Sequence, residues 1–139
     1  MGDLDLTFTC NGEIPPAIPD GDNYELAFLR AEQSRQWGGK IYLRFRMLTP
    51  GDFSGQEFYM ACNVAPKGKW TASCKYWRSW VLAAGRRPSR ADRMSSAIFR
   101  GKAFRARMRK VLKTAKQTDR TPAQQYSVVD ELLEVVVGK

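Results

Sequence analysis

A chain of 139 residues is long enough for one domain with a core of its own and gives no reason to expect two. Its hydrophobic fraction of 43%, with no apolar run near the roughly 20 residues that cross a bilayer, fits a soluble globular protein and no membrane role. The net charge of +9 favours an anionic partner, and the complete absence of histidine removes the commonest general base.

Residues 1–22 contain "NGEIPPAIPDGDN", whose prolines block helix and ladder pairing alike. They read as an acidic, extended lead-in, distinct from a domain over 23–137, with a turn at Asp20-Gly21-Asp22. Two early aspartates and no basic stretch argue against a secretory signal, and Leu6 stands where a myristoylation signal wants Ser or Thr. A cytoplasmic protein is expected.

"YELAFLRAEQ" (24–33) alternates as a strand with Tyr24, Leu26 and Phe28 on one side. "SRQWGG" (34–39) is a turn in which Gly38-Gly39 supply positive φ. "KIYLRFRML" (40–48) is the cleanest strand, with Ile41, Leu43, Phe45 and Met47 on one face and Tyr42, Arg44 and Arg46 on the other. After the turn "TPGDFSG" comes "QEFYMACNV" (56–64), with Phe58, Met60, Cys62 and Val64 inward and Glu57, Tyr59, Ala61 and Asn63 outward.

Beyond the basic loop "APKGKW" the period changes to helical in "TASCKYWRSWVLAAG". Thr71 or Ser73 is the expected N-cap, Tyr76, Trp77, Trp80, Val81 and Ala84 form the apolar stripe, and Gly85 is the stop. At i, i+3 spacing the tryptophans fit a core better than a base-stacking platform. "RRPSRADRMS" reads as an arginine-rich loop. In "KAFRARMRK" (102–110), Phe104, Ala106 and Met108 alternate with Arg105, Arg107 and Arg109, but Phe104, Met108, Val111, Leu112 and Ala115 also make a helical stripe. "TAKQTDRTPAQQ" (114–125) is a polar loop. "YSVVDELLEVVV" (126–137) is ambiguous in the same way, with its valines favouring a strand.

Strand, strand, strand, helix, strand, strand is the order of the OB-fold, a small Greek-key barrel, and closing it requires both ambiguous segments to be strands. The expected fold class is therefore mainly β, a five-stranded OB-fold-like Greek-key barrel with one helix between strands 3 and 4.

The charge is partitioned along the chain. Residues 1–33 carry seven acids against one base, residues 34–120 carry 21 Lys and Arg against four acids, and residues 121–139 carry three acids and one lysine. A net +17 in the middle of the chain exceeds what solubility needs, and nucleic acid is the natural partner. The outward face of strands 2 and 3 offers Tyr42, Arg44, Arg46 and Tyr59. Loop 1–2 adds Arg35 and Trp37, the loop before the helix adds Lys67, Lys69 and Trp70, and loop 4–5 adds Lys113 and Lys116. Cations replace counterions along phosphates, while aromatic faces stack unpaired bases. The aromatic, apolar helix is unsuited to a duplex groove, which points to a single strand. Strand 4 neighbours strands 1 and 5 in such a barrel, so Arg105 and Arg107 are expected to flank the ligand, and Arg109, nearest loop 4–5, to contact it.

No enzyme is expected. There is no Walker A loop and no Gly-x-Gly-x-x-Gly, and without histidine the usual Ser and Cys pairings are missing. Asp52, Glu57 and Asp92 follow no metal-nuclease spacing. Cys10, Cys62 and Cys74 are odd in number and widely spaced, reading as reduced cysteines, with Cys62 and Cys74 buried as small hydrophobes. Neither metal nor cofactor is called for.

Three short features, Gly21-Asp22-Asn23-Tyr24, Gly51-Asp52-Phe53-Ser54-Gly55 and Phe58-Tyr59 leading to Asn63, resemble small OB-fold, single-stranded-DNA-binding-like proteins of phages and mobile elements. The likeness runs over roughly residues 20–137. It implies sequence-tolerant binding of single-stranded nucleic acid, DNA first, with RNA and a homo-oligomer both compatible. Bacterial single-strand-binding proteins usually carry an acidic C-terminal tail for recruiting partners. Here the acidic segment is N-terminal, so a protein partner is expected to meet residues 1–22. The arginine-rich face equally fits a protein-interaction module, such as a mobile-element factor that inhibits or recruits a host nucleoprotein complex.

Overall fold

Period-two alternation builds the sheet. In β2 (Lys40–Met47) Leu43, Phe45 and Met47 are buried while Arg46 is exposed and Tyr42 and Arg44 are half-buried. In β3 (Glu57–Asn63) Phe58, Met60 and Cys62 are buried and the intervening residues face out. The computed structural model describes residues 15–34, 39–64, 71, 73–89, 94–112 and 125–138. Its remaining strands are β1 (Gly21–Ser34), β4 (Ala103–Val111) and β5 (Tyr126–Val137).

All five strands form one antiparallel sheet in the order β3-β2-β1-β4-β5. The 14-residue β1 is shared: Gly21 to Ala27 pair with β4, and Leu26 to Ser34 pair with β2. Between the pairs Phe28↔Phe45 and Arg30↔Arg44, Leu29 is an extra residue. Such a bulge bends and twists the strand, letting one chain segment serve two differently directed partners. The edge strands β3 and β5 approach within 8 Å along part of their length without a shared hydrogen-bond ladder. The sheet is thus curled but open there. Helix α1 (Lys75–Ala84) packs against both edges.

The helix buries Tyr76, Ser79, Trp80 and Ala83, with Trp77, Val81 and Ala84 packed against the same core. Trp80 belongs to the core, and its Nε1–H donates to the Ser95 carbonyl at 3.0 Å. Neither Thr71 nor Ser73 caps the helix. The N-cap is Cys74, whose side chain makes no capping bond and meets Thr71 Oγ1 at 3.9 Å, while the Thr71 and Ser73 hydroxyls bond each other at 2.7 Å. Gly85 ends the helix in the left-handed region (φ 72°), and its N–H donates to the Val81 carbonyl. In the first hairpin Gly39 holds φ at 89°, the freedom its position requires.

Between the arginine-rich loop and β4 the chain makes a turn that its residues did not announce. This is a short 3-10 helix, η1 (Ser96–Phe99), started by Ser95, whose hydroxyl accepts from Ala97 N at 3.2 Å. Phe99 is fully buried among Phe28, Tyr76 and Phe104. Part of the proline-rich lead-in is tied down as well. Ile18 is 1% exposed in the core. Ser127 Oγ accepts from Ile18 N at 2.9 Å and donates to Ile18 O at 3.2 Å, and Ser127 N donates to Pro16 O. The Lys110 backbone amide donates to Asp20 Oδ1 at 2.9 Å, a further tie between the lead-in and β4.

Candidate nucleic-acid interface

Register places the outward residues of β1, β2 and β3 in rows. Tyr42 faces Glu32 on one side and Ala61 on the other; Arg44 faces Arg30 and Tyr59; Arg46 faces Ala27 and Glu57. Two arginines directly opposite each other would repel. Two glutamates bracket them instead. Arg44 donates to Glu32 Oε1 at 2.6 Å and Glu57 Oε2 at 3.3 Å, and Arg30 donates to Glu32 at 3.2 Å and to Glu57 at 3.2 Å and 3.4 Å. The four charges cancel. Burial favours the neutral form of Glu32, but the hydrogen bonds and charges of Arg44 and Arg30 hold its carboxyl below the usual range. Burial likewise opposes the Arg30 charge, and Glu32 and Glu57 more than offset it.

Aromatic rings run beside this network. The Arg44 guanidinium lies 5.6 Å from the centre of the Tyr59 ring, a cation–π distance. Tyr59 meets Tyr42 edge-on at 5.6 Å and Tyr126 of β5 at 6.4 Å. The three tyrosines therefore form a row across β2, β3 and β5. Burial pushes the Tyr59 phenol well up, helped by its hydrogen bond with Tyr126, and burial raises that of Tyr42.

Of the residues singled out in the sequence, Tyr42, Arg44, Arg46 and Tyr59 share this outer face. Their standing differs from what parity alone conveys. Arg44 is committed to two carboxylates, whereas exposed Arg46 makes no ion pair among the described residues, because Glu57 turns to Arg30 and Arg44. Arg109 lies apart from that cluster, on β4, where it donates to Asp130 Oδ1 at 2.9 Å. Arg35, Trp37, Lys67, Lys69, Trp70, Lys113 and Lys116 lie outside the described residues. Sequence reasoning missed Tyr126, which joins the face only because β5 curls against β3. It also missed the neutralising role of Glu32 and Glu57, although their outward parity was a readable signal.

Chemically the face can stack flat rings and accept negative charge at Arg46 and Lys40. Among the described residues no group of three or more Cys, Asp or Glu is placed to hold a metal. Cys62 is a buried free thiol, pushed up to about 12 by burial, and Cys74 is half-buried. No helix among the described residues is long and apolar enough to cross a membrane. No family model, curated protein or solved structure matches the chain, so the reading of the site rests on its own residues.

Proposed function

We propose that this chain binds single-stranded nucleic acid, DNA first, across the outer face of β1, β2 and β3, without base-specific readout. The observation that carries the reading is the tyrosine row Tyr42, Tyr59 and Tyr126, flanked by Lys40 and Arg46, which have no acidic partner among the described residues. Stacked bases need aromatic faces, and the phosphates between them need unpaired cations. The strand order, the approach of β3 to β5 and the helix between β3 and β4 support taking the curled sheet as an OB-fold-like barrel, whose ligands lie on this face.

Titration of the intrinsic fluorescence with oligo-dT, repeated over a salt series, tests it. Binding is expected to weaken steeply with salt, with a log–log slope of about −0.7 for each neutralised phosphate. No binding at low salt would overturn the reading. A second reading, contact with a host nucleoprotein complex through protein surfaces, draws on the neutral Arg30, Glu32, Arg44 and Glu57 centre of the same face. A partner complex that survives nuclease treatment, with no oligonucleotide binding, would favour it.

A further inference from the structure

The arginine row of β4 meets an uneven supply of acids. Arg105 has a matched set: its Nε–H donates to Glu134 at 3.1 Å and its Nη1–H to the Asp22 carbonyl at 2.8 Å. Arg107 and Arg109 instead share one carboxylate, donating to the two oxygens of Asp130 at 2.7 Å and 2.9 Å. Lys75 approaches the same carboxylate at 3.9 Å. Glu131, next in the chain, is held by Arg78 through Nε and Nη2, both at 2.9 Å. Three cations thus surround one carboxylate, two more positive charges than that carboxylate cancels, with Glu131 and Asp22 acting on Arg107 from farther off.

The cause is the register of β5. Arg107 pairs with Glu131 and Met108 with Val129, so Asp130 is a bulged residue without a cross-strand partner. The bulge sends Asp130 toward β4 and Glu131 toward α1. The bound forms are secure: burial raises the Asp130 carboxyl, but Arg107, Arg109 and Lys75 hold it below its ordinary range, and Asp130 raises Arg107. Arg107 and Arg109 use only their Nε–H groups on Asp130, and among the described residues their Nη groups have no partner. Their side chains are 48% and 50% exposed, against 23% for Asp130. A planar guanidinium with free Nη donors in water is suited to a phosphate, which takes it by two parallel bonds.

The patch also continues the aromatic row. Tyr126, last of the three tyrosines, pairs with Val111, two residues beyond Arg109 on β4. Crossing the outer surface from β2 through β3 and β5 to β4, one meets rings first and guanidinium groups next.

We propose that Arg107, Arg109 and Lys75 form a second phosphate-binding station, which takes the backbone of single-stranded nucleic acid where it leaves the tyrosine row at Tyr126. Asp130 is the positioning residue that keeps the two guanidinium groups side by side. This assignment rests on the proposed single-strand function of the tyrosine row and extends it onto a face made by other strands.

The test compares the full chain with its Arg107→Gln/Arg109→Gln variant, using oligo-dT of about 4 and about 16 nucleotides, the ends of the range that such folds cover. The short strand is expected to bind both proteins alike. For the long strand the variant should lose about tenfold or more in affinity at low salt, with a log–log salt slope shallower by about 1.4, the loss of two phosphates. If the double variant does not fold by circular dichroism, Lys75→Gln carries the test with a slope change of about 0.7. Equal effects on both lengths, or none on either, would overturn the second station and leave the tyrosine row standing. No binding of either strand by the unaltered chain would overturn both.

Discussion

Arg44 and Arg46 stand two residues apart on one strand, point the same way, and have different electrostatic work. Arg44 satisfies Glu32 and Glu57 and covers Tyr59, while Arg46 has no acid on it. Arg44→Ala is therefore expected to lower stability by about 1 kcal/mol, the scale of partly exposed ion pairs plus a cation–π contact, and to change the salt slope little. Arg46→Ala should do the reverse, leaving urea unfolding unchanged and making the slope shallower by about 0.7. Similar slope changes in the two variants would contradict this division. Burial also gives the protein an alkaline limit. Cys62 and Tyr76 are each pushed up to about 12, and Tyr59 rises too. The folded state holds these protons more tightly than the unfolded chain, so stability falls as pH rises past the ordinary thiol and phenol values of about 8.5 and 10. Thermal melts should be nearly constant from pH 6 to 8 and decline from about pH 9. Tyr76→Phe, which starts lower for want of the bond to the Met94 carbonyl, should decline less steeply. On the acid side Glu32 and Asp130 lie below their ordinary range, so their contribution is lost as pH falls through about 4 and below.

At the scale of elements, β5 shows why its sequence reads two ways. It has twelve residues against nine in β4, and the three without partners, Asp130, Leu133 and Val136, recur every third position. Its inward residues Val129, Leu132 and Val135 are accordingly spaced by three. That spacing imitates a helix, although the segment is a repeatedly bulged strand with increased twist. By contrast, β4 alternates from Phe104 to Arg109, with Phe104, Ala106 and Met108 buried, as its sequence reads. Helix α1 ends where Gly85 allows it. No atom would crowd a Cβ there, so Gly85→Ala isolates the backbone penalty of a positive φ. A loss of about 1 kcal/mol in urea unfolding is expected, with an unchanged m-value. The start of the same helix was harder to read, because Thr71 and Ser73 satisfy each other rather than the first-turn amides.

On the scale of the whole molecule, the lead-in closes onto the sheet through Ile18, Ser127 and Asp20, which tie it to β4 and β5. Ile18→Ala should cost about 2–5 kcal/mol, as for other fully buried truncations, and would show that the domain's core begins before β1. An exposed residue's cost, within about 0.5 kcal/mol, would refute that. Proline composition alone could not show it, since a proline-rich stretch reads as extended whether it is free or docked. Inward and outward sides in β2, β3 and β4 were readable from the residues because the pleat is a local property, and with them came the element order and the outward place of Tyr42, Arg44, Arg46 and Tyr59. Parity put Glu32 and Glu57 on the outer face, but which cation each acid takes was not readable. Arg30 finds Glu57 27 residues away, Arg105 finds Glu134 29 away, and Arg78 finds Glu131 across 53. Which arginine keeps a free charge depends on strand order, on the bulges at Leu29 and Asp130, and on the curl that brings β5 to β3. Those are properties of the assembled sheet, because an ion pair needs two chains of backbone already in place before its distance is set.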